Sequence, residues 1–182
     1  MSALELSKIG LSLGGIPVLD DVSMHVAQGE FVSILGPSGC GKSSLLRLLT
    51  GALTPDRGEI RVGGAPLDER SRAFAFMPQR DALMPWRRII DNVILGLEVQ
   101  GLGRAEARAK VQPLFATFGL DGFERHYPAQ LSGGMRQRAA LMRTIVQDRP
   151  VQLLDEPFGA LDALTRTEMQ RWLESRWQHA HW

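Results

Sequence analysis

Residues 36–44 read GPSGCGKSS and follow directly on the apolar run FVSIL at 31–35. Three glycines and one lysine within nine residues leave long stretches of bare backbone N–H beside a single positive charge. Such a segment cannot pack as a core element. It has to be a loop, and what stands on either side decides what the loop can do. FVSIL is nearly continuous in its hydrophobicity, as expected of a strand covered on both faces. The SSLLRLLTGAL stretch that follows places Leu45, Leu46, Leu48 and Leu49 on a broad helical face, with Gly51 available to end the helix. A buried strand, a glycine loop and a helix in that order define an α/β architecture.

In this setting Gly36, Gly39 and Gly41 allow tight turns that bring successive amides against anionic oxygens, and the helix opening at about Lys42 adds its positive end. Pro37, Ser38, Cys40 and Ser44 complete the cradle. The spacing G-x-x-x-x-G-K-S between strand and helix is that of a triphosphate loop, in which Lys42 reaches the β and γ phosphates and the Ser43 hydroxyl holds Mg²⁺. Lys42 is one of only three lysines, with Lys8 and Lys110, in a chain that otherwise uses arginine. That usage is in keeping with a compact ammonium at this place.

Composition narrows the partners. The 182 residues are 44% hydrophobic with a net charge of +1, enough for one domain with a full core. No bulk field favours nucleic acid. The single cysteine, Cys40, excludes an internal disulfide framework, and MSALELSKIG lacks the apolar core of a signal peptide. A soluble, cytoplasmic chain is expected, whose link to a membrane would run through a partner, because no run approaches the roughly 18 apolar residues that span a bilayer.

Along the chain, LEL near the start and VSMHV at 22–26 alternate as half-buried antiparallel strands do. GEIRVGG and RAFAFM read as further strands. From about Ile89 to Ile145 the pattern is helical, with Pro113 expected near the start of its helix or kinking it. VQLLD then reads as a strand, and ALTRTEMQRWLESRWQ as a final helix.

Two further motifs bear on chemistry. VQLLDEP places Asp155 and Glu156 at the C-terminal edge of a strand, where α/β sheets bind ligands. Asp155 suits the outer shell of Mg²⁺, and Glu156 suits orienting or deprotonating an attacking water. LSGGMRQR at 131–138 puts Ser132, Gly133 and Gly134 before a helix, a second anion-binding N-terminus that one nucleotide held at Lys42 does not obviously need. It implies a second nucleotide or a second subunit.

With the phosphate loop, LSGGM, VQLLDEP and GALD in this order over nearly the whole chain, the sequence resembles the ATP-binding cassette (ABC) family. The resemblance implies an α/β P-loop NTPase fold with N-terminal antiparallel strands and an inserted α-helical subdomain. Residues 1–182 would form one nucleotide-binding domain, with 1–84 and 146–182 as the core and 85–145 as the helical subdomain. It implies ATP hydrolysis with Mg²⁺ in a head-to-tail homodimer, each signature helix capping the γ-phosphate held by the other subunit. Gln79 in FMPQRD matches the glutamine that senses Mg²⁺ and the attacking water, and Asp162 in GALD matches a loop communicating across the dimer. LMPWRRIIDNV and DEPFGALDALTR look most like importers of the nitrate, sulfonate and taurine group. Transmembrane permease subunits and, indirectly, a solute-binding protein are the implied partners, on the inner face of the cell membrane. Trp86 would be a core residue of the helical subdomain or part of the groove facing the permease.

Some positions depart from the family pattern. Leu13 stands where an aromatic ring usually stacks on adenine. Met135 replaces a polar signature residue, and Gln152 interrupts a strand expected to be apolar, where it would need amide partners. A further core strand ending in a switch histidine is expected after the last helix, but the sequence reaches WQHAHW, and His179 and His181 fall too early to serve. The sequence therefore reads as a C-terminally shortened domain, with apolar surface left uncovered and slow hydrolysis expected. Besides an importer ATPase, an ATP-binding module with little hydrolysis stands as the alternative. A DNA-acting ATPase with an inserted coiled coil does not fit, since only about 90 residues separate Lys42 from Ser132, without sustained heptads.

Overall fold

The computed structural model describes residues 2–67 and 73–180. Two long strands, β1 (Ser2–Leu13) and β2 (Ile16–Ala27), form an antiparallel hairpin. Its turn is Gly14-Gly15, with φ of 59° and 82°. Positive φ at both central residues matches the twist of the flanking strands, which is why two glycines stand there. The alternation seen in the sequence is realised. Leu4 and Leu6 are buried, and Val22 and Met24 are half-buried between exposed neighbours, with Val26 also half-buried. β3 (Arg57–Val62) pairs antiparallel with the other edge of β1, and the short β4 (Ala65–Pro66) pairs with β3, giving the order β2-β1-β3-β4. α1 (Lys42–Leu49) buries Leu45, Leu48 and Leu49. It stops at Gly51, whose φ of 74° lets its N–H donate to the Leu48 carbonyl.

The run Phe31–Leu35 differs from expectation. It forms no strand and joins neither sheet among the described residues. Leu35 is 91% exposed, and Phe31, Val32 and Ile34 are also exposed. A strand apolar on both faces needs a neighbour to bond with and cover on each face, and none of the described strands pairs with it. Just before it, the Trp177 indole N–H donates to the Gly29 carbonyl at 2.8 Å, and its ring meets Phe31 edge-on.

The chain divides into two compact units. The first takes in residues 1–74, 149–153 and 175–182, and the second 75–148 and 154–174. The second is mainly helical: α2 (Ile89–Val93), α3 (Leu95–Val99), α4 (Arg104–Thr117) and α5 (Gly133–Ile145), with β5 (Phe74–Met77) leading into it. Its core holds Ile89, Val93, Ile94, Leu97, Val111, Phe115, Phe118, Ala139, Leu141 and Met142. Pro113 lies in the interior of α4 rather than in its first turn, where it lacks the N–H for one rung. Asn92 is fully buried and stitches the segment before α2. Its Oδ1 accepts from the Met84 N–H at 2.7 Å, and its Nδ2 donates to the carbonyls of Met84, Arg87 and Arg88. Trp86, expected in the core under one reading, is 74% exposed. β6 (Val151–Leu154) ends at Asp155, whose N–H donates to the Met77 carbonyl at the end of β5. α6 (Ala163–Ala180) closes the described chain and includes His179; His181 lies outside the described residues.

Candidate functional site

The phosphate loop is built in the first unit. Gly41 precedes α1 with φ of 98°, and a Cβ there would lie 2.9 Å from Leu19 Cδ2 and 3.0 Å from the Val18 carbonyl oxygen. Only glycine fits so close to β2 in that conformation. Gly39 also has positive φ, whereas Gly36 does not, and a Cβ there would instead meet Cys40 Sγ at 2.8 Å. The three glycines thus answer to different constraints. Lys42 folds its ammonium over the loop, donating to the carbonyls of Gly36 at 2.9 Å and Pro37 at 2.8 Å, with Cys40 Sγ at 3.7 Å. Pro37, Ser38 and Cys40 are exposed, while Ser43 and Ser44 sit in the first turn of α1. Leu13 lies at the hairpin turn, 39% exposed.

The second unit brings Gln79 to Glu156. The amide Nε2 donates to Glu156 Oε2 at 2.9 Å. Glu156 adopts φ of 49°, uncommon for a residue with a side chain. Its carbonyl is fixed by Gln137 Nε2 at 3.0 Å and by the Gly159 N–H. Asp155, next to it, is buried. Ser132 caps α5, its Oγ accepting the Met135 N–H at 3.2 Å. A Cβ on Gly134 would lie 3.4 Å from Leu161 Cδ2, so the signature turn lies against the GALD loop. Asp162 accepts the Thr165 N–H at 3.0 Å. That backbone hydrogen bond holds its carboxyl below the usual carboxylate range.

Among the described residues, no three His, Cys, Asp or Glu side chains gather as a self-sufficient metal site. The Ser43 hydroxyl in the first unit, and the Asp155 carboxylate and Gln79 amide oxygen in the second, are each hard oxygen donors, a type that suits Mg²⁺. Gln152 answers the need noted in its sequence only in part. Its Nε2 donates to the Arg149 carbonyl at 3.2 Å, and its buried Oε1 has no protein partner.

Sequence reasoning missed Gln137, Arg136 and Arg143, all on α5. Arg143 donates to the carbonyls of Asp81 and Ala82, and Arg136 Nε donates to the Asp81 carboxylate at 3.0 Å. Burial pushes the Arg143 pKa down, with the charge of Asp81 opposing the shift. The available signal was spacing, since Arg136 and Arg143 lie seven residues apart and so on one helix face.

A glycine-rich phosphate cradle at the start of α1, with a carboxylate–amide pair at the end of β6, defines a P-loop nucleotide-binding protein. The sequence profile of the ABC transporter family matches residues 19–159, and the chain belongs to that family. It is 42% identical over 175 residues to the taurine import ATP-binding protein TauB of Yersinia pestis, spanning 96% of this chain and 69% of that protein. To TauB of Pseudomonas aeruginosa it is 46% identical, over 88% of this chain and 61% of the relative. The aliphatic sulfonates import ATP-binding protein SsuB 3 of Pseudomonas syringae is 45% identical, over 96% of this chain and 62% of its own length. The chain thus spans roughly two thirds of these relatives. Among solved structures, the dimeric post-hydrolysis state of the ATP-binding cassette MJ0796 bound to ADP and Pi superposes with a TM-score of 0.88 at 29% identity, over 98% of this chain and 84% of that one.

Proposed function

We propose that this chain is the ATP-binding and ATP-hydrolysing subunit of an importer for taurine or related sulfonates, within one nucleotide-binding domain in which 85–145 is the helical subdomain. The observation that carries the reading is the Gln79–Glu156 hydrogen bond at the end of β6, in a chain that also holds a complete phosphate loop. The loop amides from Gly36 to Lys42 and the positive end of α1 bind the phosphates of ATP. The Lys42 ammonium exchanges its loop carbonyls for β- and γ-phosphate oxygens and stabilises charge there. Glu156 polarises the water that attacks the γ-phosphorus, and Gln79 holds the carboxylate while its free amide oxygen orients that water. Ser43, Gln79 and Asp155 would hold Mg²⁺, which would supply further charge neutralisation on the phosphates.

Ser132, Gly133 and Gly134 then face the γ-phosphate bound to a second copy, with Asp162 at the dimer contact. The dimeric cassette to which the chain is similar supports a paired arrangement. The subunit would sit on the cytoplasmic face of the membrane, its transport path supplied by permease partners and a solute-binding protein acting indirectly, as the names of the import relatives suggest. No role in nucleic-acid binding is assigned.

The test is Mg²⁺-dependent phosphate release by the purified chain beside Glu156→Gln, with nucleotide binding measured in parallel. Turnover that falls about 100-fold or more with binding retained supports the reading. Equal turnover in the two proteins overturns it.

A further inference from the structure

One face of α5 grips the loop that follows Gln79. Arg143 donates from Nη1 to the Ala82 carbonyl and from Nη2 to the Asp81 carbonyl, both at 2.7 Å. Arg136, two turns earlier, donates to the Asp81 carboxylate at 3.0 Å and to the Leu131 carbonyl at 2.7 Å. The other Asp81 oxygen accepts the Leu83 N–H at 3.2 Å. The loop held in this way is bent, with Ala82 at φ of 45°. A non-glycine residue is strained there and stays only where its surroundings over-determine it. The helix also holds the Glu156 backbone through Gln137. A single rigid element therefore fixes the Glu156 backbone and the loop three residues beyond Gln79.

We infer that Arg143 is a positioning residue: its bridge across the Asp81 and Ala82 carbonyls ties the Gln79 loop to the same helix that holds the Glu156 backbone, and so keeps Gln79 in register with Glu156. This rests on the proposed roles of Gln79 and Glu156. Two neighbouring carbonyls call for the planar fork of a guanidinium, since an ammonium on a flexible stem does not present two fixed, parallel N–H groups.

The test compares Arg143→Gln, Arg143→Lys and the parent chain. Hydrogen exchange reads the clamp without reference to activity. In Arg143→Gln the Leu83 and Met84 amides should exchange about 10-fold faster or more, while those of α1 keep their rates and report that the chain is folded. Turnover should fall about 10-fold or more with KM for ATP within about three-fold, and adding Gln79→Ala should cost far less than it does in the parent, because the two act on one step. Arg143→Lys should restore only part of either signal. Unchanged exchange at Leu83 and Met84, or full additivity of the two substitutions, overturns the inference. Loss of the proposed function would show separately, as wild-type turnover in Glu156→Gln.

Discussion

Gln79 and Glu156, 77 residues apart in sequence, meet through an amide N–H donated to a carboxylate oxygen at 2.9 Å. The pairing fixes which end of the amide faces the acid, and it gives the carboxylate a neutral partner. In Gln79→Glu two carboxylates would share the site, and like charges so close raise the pKa of the pair. The acid limb of the turnover profile should then move to higher pH, with turnover at neutral pH lowered about 10-fold or more. A pH–rate profile checks this. An unmoved limb would mean that the two side chains separate during turnover.

Glu156 bears its carboxylate on a left-handed backbone, φ 49°. Glycine adopts that conformation freely, so Glu156→Gly should leave thermal stability unchanged or raise it by up to about 1 kcal/mol while phosphate release is lost. Chemical denaturation beside the activity assay would show the two properties moving apart.

The loop glycines differ in how much they tolerate. At Gly39 a Cβ meets nothing within 4 Å, whereas at Gly41 it meets Leu19 Cδ2 and the Val18 carbonyl. Gly39→Ala should cost about 1 kcal/mol from the dihedral alone. Gly41→Ala should cost about 2–4 kcal/mol, since β2 must also give way. Urea unfolding of the two variants gives the comparison.

Much of this was readable beforehand, for local reasons. The β1–β2 hairpin announces itself by alternation and by Gly14-Gly15, the phosphate loop by its glycines and Lys42, and α5 by Ser132 at its cap; each signal and its effect lie within a few residues. Phe31–Leu35 shows the limit. Its side chains state that the run should be covered, but covering depends on neighbouring chain that its own residues do not specify. The core reading of Trp86 failed in the same way, since the fold leaves this large ring in a helical region exposed. The arginine clamp was hidden for another reason. Arg136 and Arg143 share a face, but Arg143 bonds to loop carbonyls, and every residue has a carbonyl.

Asp91 has a side chain only 7% exposed, between Arg104 at 2.9 Å and Arg108 at 2.6 Å. Burial alone would raise its pKa; the hydrogen bonds and charges of Arg108 and Arg104 outweigh that and hold it below the usual carboxylate value. A carboxyl lowered in the folded state contributes stability above its unfolded pKa and loses that contribution as pH falls through the folded one. Asp91→Asn should therefore destabilise the chain by about 1–2 kcal/mol at pH 7. The difference should shrink once pH drops below about 4, the ordinary aspartate range. Denaturation midpoints at pH 7 and pH 3 test the sign.

The open run at Phe31–Leu35 has a colloidal consequence. Val32 and Ile34 are β-branched and exposed, Leu35 is almost bare, and the backbone between them takes no part in a ladder among the described residues. Such a segment accepts any extended strand that reaches it, including the same run on another molecule. Self-association through these five residues, which lie directly ahead of the phosphate loop, would then compete with nucleotide binding for the same few ångströms of backbone.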